Sequence, residues 1–247
     1  HGGLTPQELE ATIADLLSAR SGVYHPASNA GDNLADAPPR GSQTHGTYFL
    51  YSNWDFNALG TVFEQETGRG IYDALETDLA RPIGLEDFQR ALHEKSGDLT
   101  RSVHPAYHMH FSTRDMARIG HLMLREGNWN GRQIVPRAWA RRIVTPVTRN
   151  TEMNPASLRN GRLGYGFLWW VVGGEAATGA FESAYTAMGA GGQYISVLPR
   201  IGLVVAHKKK VPPSGRSVGN GEYFELLTAI ADAYCGNRCG RGPGGGS

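Results

Sequence analysis

The chain has 247 residues, enough for one sizeable hydrophobic core, or one core with a smaller lobe. Its 24 Lys and Arg against 23 Asp and Glu leave a net charge of +1, and apart from Lys208-Lys209-Lys210 the basic residues are scattered, so no nucleic-acid partner is expected. No apolar run approaches the roughly 20 residues of a membrane-spanning helix, and His1-Gly2-Gly3 opens neither a basic nor an apolar segment, so the chain reads as soluble, whether cytoplasmic, periplasmic or secreted.

Thr5-Pro6-Gln7-Glu8 predicts a helix start with an N-cap, a proline at the first position and a capping-box acid; Leu9, Ile13, Leu16 and Leu17 predict its buried stripe, as far as Gly22. Val23 to Gly46 is rich in Pro, Gly, Asn, Asp and Ser and reads as a long structured loop, with Tyr24 and His25 at its entrance as candidate pocket-lining residues. In the next stretch, Tyr48 to Gly60, the Tyr51 phenol and the Asn53 amide sit where an apolar run gives way to a helix. Groups at a helix start are placed to project into a cleft, which makes these two the candidate catalytic residues. That helix is expected from Asn53 to Thr67, with Phe56, Leu59, Val62 and Phe63 inward and Gly68 as its stop; a third carries Ile71, Leu75 and Leu79 and ends before Pro82.

A polar stretch leads to Tyr107. His104, His108 and His110 invite a zinc site, yet no carboxylate or Cys stands at ligand spacing, so no metal is expected there. Ser112-Thr113-Arg114-Asp115 is a capping box heading a helix with Met116, Ile119, Leu122 and Met123 inside and Gly127 beyond it. Asn130-Gly131 predicts a tight turn, and Pro136 a short helix to about Val144. Beyond Gly161 the spacing becomes extended: Tyr165 to Val172, Gln193 to Leu198, and Leu203 to His207, the last two joined as an antiparallel hairpin by Pro199-Arg200-Ile201-Gly202. Trp169 and Trp170 alternate in the first run, one facing the core; His207 and the three lysines should end the last strand at solvent. A closing helix, Tyr223 to Tyr234, would cover the sheet with Phe224, Leu227, Ile230 and Ala231. Cys235 and Cys239 are spaced for a small disulfide loop or for two free thiols, and 241–247 reads as a flexible tail. The fold class is α+β: a helical part over about 1–160, then an antiparallel sheet and closing helix over about 161–235.

Several segments, in this order, carry a resemblance: Asp15 to Gly22, similar to an "LLxHxSG" segment; Tyr51-Ser52-Asn53 with its helix through Glu64 and Thr67-Gly68; Arg81-Pro82-Ile83-Gly84-Leu85, similar to "PLGM"; Ser112 to Leu124; and Gly191-Gly192-Gln193 to Pro199 followed by Leu203-Val204-Val205. Together they resemble the serine hydrolases of the class C β-lactamase and penicillin-binding-protein family, including its esterase and amide-hydrolase branches. The resemblance implies a β-lactamase-like fold and acyl transfer through a covalent serine ester on a small ester or amide, without a cofactor. In that chemistry a Lys from Ser-x-x-Lys and the Tyr of Tyr-x-Asn share the serine's proton. Tyr51 matches that tyrosine, the general base, and Asn53 the asparagine that holds the Lys or the substrate in place. Ala184 to Gln193 occupies the place of the family's Lys-Thr-Gly strand and looks closer to the esterase and amidase branches. The resemblance puts one half of an oxyanion hole at the Ala190 N–H and substrate-lining positions at Tyr185, Gly189 and Gly191.

The departure from the pattern is as informative. The lysines are Lys95, Lys208, Lys209 and Lys210, preceded three residues earlier by Leu92, Val205, Ala206 and His207, so no Ser-x-x-Lys occurs. In the family the nucleophile and the first strands of the sheet precede the "LLxHxSG" segment. The expectation is therefore the C-terminal part of a hydrolase, completed by an N-terminal fragment or stabilised as a homo-oligomer through the sheet edge that the absent strands leave open. A permuted or split arrangement, a pseudo-enzyme, a non-catalytic binding or scaffold protein, and a zinc hydrolase built on His104 to His110 are the alternatives.

Overall fold

In the computed structural model, which describes residues 3–210 and 216–236, Thr5 and Glu8 make the reciprocal cap their spacing predicts. Thr5 N–H donates to Glu8 Oε2 at 2.8 Å, and Glu8 N–H to Thr5 Oγ1 at 3.2 Å. The helix does not continue. It stops as a 3-10 turn, Glu8–Glu10, and α1 spans only Ile13–Leu17 under a second capping box formed by Thr12 and Asp15. A side chain that bonds nearby backbone offers the chain an alternative to helix, and two such caps in succession cut the predicted helix in two. Leu9 and Ile13 are accordingly exposed; of the expected stripe only Leu16 is buried.

Helix α2, Asn53–Thr67, has its predicted bounds and ends at Gly68 in the left-handed conformation. Its inward face differs from the expected one. Trp54, Asp55, Asn57, Ala58 and Gly60 are buried, while Phe56, Leu59, Val62 and Phe63 are half-buried. The long loop and the residues just before it explain this, because they bring polar partners inside: Ser21 Oγ–H donates to Asp55 Oδ1 at 2.7 Å, and Asn57 Nδ2 donates to Asn29 Oδ1 at 2.9 Å and Ser28 Oγ at 3.2 Å. Helix α3, Ile71–Ala74, runs on as a π-helical turn, Leu75–Ala80, and buries Tyr72, Ala74 and Ala80, leaving Ile71, Leu75 and Leu79 half-buried.

The stretch read as a polar connection holds a short ribbon in which β1, Lys95–Ser96, pairs antiparallel with β2, Ala106–Tyr107. Helix α4, Thr113–Leu124, starts at its Ser112 cap and buries Met116, Leu122 and Met123. Asp115 does not complete a capping box: its buried carboxylate accepts from the backbone of Glu86 at 2.9 Å and Asp87 at 3.2 Å, tying the segment after α3 to α4. Strands β3, Asn128–Trp129, and β4, Arg132–Gln133, flank the expected Asn130-Gly131 turn, and α5, Arg137–Ile143, follows Pro136.

The main sheet is antiparallel and runs in chain order: β5 (Leu163–Tyr165), β6 (Trp170–Val172), β7 (Tyr185–Gly189), β8 (Gln193–Leu198) and β9 (Leu203–His207). The run Tyr165 to Val172 is therefore two strands and not one. Leu168 takes a left-handed φ of 60°, which turns the chain so that Tyr165 faces Trp170. One sheet face packs against α4 and α5 through Met116, Met123, Ala140, Trp169, Tyr185, Ile195 and Val197; the other packs against α6, Asn220–Cys235, through Tyr194, Leu198, Tyr223, Phe224 and Leu227. Alternation along β8 supplies both faces. His207 does not end at solvent: it is half-buried, with Nδ1 2.9 Å from the Gly192 carbonyl. Cys235 is half of a disulfide; Cys239 and the expected tail, 241–247, lie outside the described residues. No helix among the described residues is long and apolar enough to cross a membrane.

Helix α4 lies on β8 and β9 at Gly120, where a Cβ would sit 2.5 Å from Val204 Cγ1 and 2.9 Å from Ile195 Cγ2. Gly120→Ala should therefore lose stability to overpacking, by about 1–3 kcal/mol before a helix-propensity gain of about 1 kcal/mol is credited. Urea unfolding measures this, and a variant more stable than the parent would show that α4 is not held at that spacing.

Candidate active site

Phe49 and Leu50 are buried and extended, and Leu50 N–H donates to the Ala19 carbonyl at 2.9 Å, which fixes the chain entering α2. Ser52, not Asn53, caps the helix, its Oγ accepting from Asp55 N–H at 3.3 Å. Tyr51 thus stands just outside the helix and Asn53 at its first position. The Tyr51 ring stacks on Trp170 with centroids 5.5 Å apart and meets Phe56 and Tyr165 edge-on at 5.0 and 6.2 Å. Its hydroxyl makes no hydrogen bond among the described residues, yet it is not one of the unpaired atoms sealed from solvent. Burial, and then the Asp32 charge, hold the phenol's pKa above the ordinary value, so on its own Tyr51 is neutral at physiological pH. The Asn53 amide donates to the Ala30 carbonyl at 2.9 Å, leaving its oxygen to accept.

Two residues beyond Asn53 the environment is closed. Asp55 is buried, and burial raises its carboxyl to about 8 despite the Ser21 hydrogen bond. Tyr24 lies near it with a hydroxyl sealed from solvent and unpaired, its pKa pushed up by burial and then by Tyr48 and Asp55. His25 sits between Trp54, 5.7 Å away ring to ring, and Glu8 Oε1 at 3.5 Å, where it lines a small cleft of about 220 Å³ with His104 and Arg101. Neither Tyr24 nor His25 reaches Tyr51.

A larger groove, about 600 Å³, runs beside the end of β7. Gly189, Ala190 and Gln193 form one wall, and Tyr107 to Phe111 with Lys208 the other. Gly191 and Gly192, with φ of 78° and 89°, make the turn into β8, and a Cβ on Gly192 would press within 3.0 Å of Val218 backbone. Strand β6 pairs with β7 only at Tyr185 and Thr186, so Ala187–Gly189 pairs with β8 alone and has one edge free among the described residues. A free backbone edge is what an oxyanion donor requires. Tyr185 is not at this groove: it is 4% exposed, packed edge-on to Trp169 in the α4-side core. The link from the groove to Tyr51 runs through Trp170, which pairs with Thr186 on β7 and stacks on the Tyr51 ring.

The three histidines of the zinc reading are separated. His104 Nδ1 lies 3.0 Å from Thr61 Oγ1 beside Trp54, while His108 and His110 line the groove; among the described residues no three metal-ligating side chains converge. The His108 to Phe111 wall and Lys208 were not expected at a site. A signal was present, since Tyr107, Met109 and Phe111 alternate with His108 and His110 as in a two-sided extended segment.

A model of the family described as Beta-lactamase matches residues 3–226, and no curated protein sequence matches the chain. Among solved structures the chain is similar to a Bacillus anthracis protein assigned as a 6-aminohexanoate-dimer hydrolase, at 20% identity and a TM-score of 0.64 over 91% of this chain and 61% of that one. It is similar to a β-lactamase from Mycobacterium bovis, at 18% identity and a TM-score of 0.60 over 97% of this chain and 77% of that one. A family VIII carboxylesterase matches at 14% identity and a TM-score of 0.60, over 90% and 71%. At these identities the likeness establishes the fold.

Asp55 gives the helix start a testable electrostatic signature. The folded state holds this proton more tightly than the unfolded chain, so the group's stabilising contribution is complete below 3.8 and declines as pH rises to about 8. Relative to the parent, Asp55→Asn should gain stability by up to about 1.4 kcal/mol per pH unit within that window. Denaturant midpoints at several pH values measure the difference, and a difference that does not change with pH would contradict the assignment.

Proposed function

The chain belongs to the Beta-lactamase family, serine hydrolases that act on esters and amides, and from that membership we propose that it carries the tyrosine base and one oxyanion donor of such a hydrolase. The Ser-x-x-Lys nucleophile comes from a polypeptide segment outside these 247 residues. The observation that carries the reading is the Tyr51 hydroxyl, unbonded among the described residues and open to solvent on a ring fixed by Trp170, Phe56 and Tyr165. The ring is half-buried and held while the hydroxyl has no partner among the described residues, which leaves it for a group that arrives.

In the proposed reaction the serine hydroxyl attacks the acyl carbon while Tyr51 Oη, kept anionic by the neighbouring lysine ammonium, takes its proton. The Asn53 amide oxygen orients that ammonium. The oxyanion of the tetrahedral intermediate is held by the Ala190 N–H and the serine's own N–H. Tyr51 then returns the proton to the departing alcohol or amine, and in the second half activates the water that hydrolyses the acyl-enzyme. Gly189 lines the acyl side without a side chain to obstruct it, Gly191 only shapes the turn beside it, and the groove wall carries Lys208 and no carboxylate, which suits a neutral or anionic substrate. Tyr24, His25 and Tyr185 have no part in this scheme, being sealed inside or set in other cavities.

The resemblances named for the solved structures, to an amide hydrolase, a β-lactamase and a carboxylesterase, support ester or amide cleavage. The lack of a Ser-x-x-Lys in this sequence favours a second reading, a binding or scaffold protein that retains the groove. Two surfaces support a complementing fragment or a second copy: the half-buried β9, paired on one side only among the described residues, and the half-buried row Phe56, Leu59, Val62 and Phe63 on α2.

A fluorophosphonate probe should leave this chain unlabelled and, once a segment bearing Ser-x-x-Lys is supplied, should label the serine of that segment with onset of ester turnover; labelling of the chain alone would refute the proposal. In the complemented protein Tyr51→Phe should lower kcat by about 10²–10⁴-fold. Light scattering should find the unsupplemented chain self-associated, and a well-behaved monomer would count against an open sheet edge.

A further inference from the structure

A second cavity, of about 560 Å³, opens on the α4–α5 side of the sheet and shares no lining residue with the groove beside Ala190. Its floor includes Met123, Ala140, Val171 and Tyr185, each buried. The volume lies within the range of small-molecule sites. Tyr185 is the informative member. It is 4% exposed, its ring is held edge-on by Trp169 with centroids 5.3 Å apart, and its hydroxyl makes no hydrogen bond among the described residues. The oxygen is nevertheless not one of the unpaired atoms sealed from solvent, so the hydroxyl is the part of this buried residue that meets the cavity.

The charged groups at the rim do not satisfy it. Glu126 is near enough to push the Tyr185 phenol upward, after burial, but its oxygens are taken by Arg141 at 2.7 and 2.9 Å and by Arg137 at 3.3 Å. Glu182 pairs with Arg200 at 3.3 Å. The rim charges are thus neutralised in place, the floor is apolar, and the Tyr185 O–H, which meets the cavity, has no acceptor among the described residues. A hydrogen bond made by such a donor in an apolar cavity counts for more than the same bond in water, so a ligand that supplies the acceptor is favoured there.

We propose that this cavity is a second small-molecule site, taking a neutral ligand with an apolar body and a single carbonyl acceptor for the Tyr185 hydroxyl. It stands independently of the hydrolase reading, since no residue assigned to that chemistry lines it. Acetophenone is a suitable probe, with ethylbenzene as its counterpart lacking the acceptor, both titrated into the full isotope-labelled chain and followed by amide shifts. Acetophenone should bind about tenfold more tightly than ethylbenzene and move the amides of Val171 and Tyr185. In Tyr185→Phe that preference should vanish. The proposal is overturned if acetophenone does not bind up to its solubility limit, if the two probes bind the parent equally, if Tyr185→Phe keeps the preference, or if the shifts fall in Gly189 to Gln193. Should the variant not fold, the ratio of the two probes on the parent chain decides alone.

Discussion

The stacking of Tyr51 on Trp170 joins the two parts of the molecule. Tyr51 ends the extended segment that leads from the long loop into α2, and Trp170 begins the second strand of the sheet. Around them Phe49, Met153 and Tyr165 form one buried cluster contributed by both parts. Hydrogen bonds run the same way: Asn154 Nδ2 to the Phe49 carbonyl at 3.2 Å, Arg20 Nε to Thr148 Oγ1 at 2.8 Å, and Leu168 N–H to the Leu17 carbonyl at 3.1 Å. A side chain set in such a junction has little freedom to move, which is the condition a positioned base needs.

The electrostatics of the junction point the same way. It contains no lysine, and the titratable groups at the start of α2, Tyr51 and Asp55, are both shifted by burial toward their neutral forms. A neutral phenol is no base. On the proposed reading the site becomes competent only when a cation is brought beside Tyr51, so the local physics supports the dependence on a Ser-x-x-Lys segment alongside the missing motif. Before that, a protonated Asp55 beneath a capped helix costs less than a buried carboxylate would.

Much of this was legible in the sequence. The bounds of α2, the Ser112 start of α4, the Asn130-Gly131 turn and the hairpin into β9 all rest on caps and turn residues, whose effects are local. What escaped depended on partners distant in sequence. The inward face of α2 was misjudged because Ser21, Ser28 and Asn29 make Asp55 and Asn57 welcome inside; the break between β5 and β6 puts its left-handed φ on Leu168, a residue type that seldom adopts it, and not on Gly166; and Tyr185, which belongs to a strand lining the groove, points to the opposite end of the α4-side face. The resemblance located the groove wall at Gly189 and Ala190 but carried no information on His108 to Phe111, which reaches the groove only through the β1–β2 ribbon and the start of α4.

The claim on which this account turns is that the Tyr51 hydroxyl awaits a cation and a serine. It is tested most directly by following the Tyr51 side-chain Cζ by carbon-13 NMR as pH is raised, with Tyr51→Phe to assign the signal. In the chain alone the phenol should titrate above its ordinary value, and on binding a segment that carries Ser-x-x-Lys its pKa should fall by more than a unit. A Tyr51 titration that the bound segment leaves unchanged would contradict it.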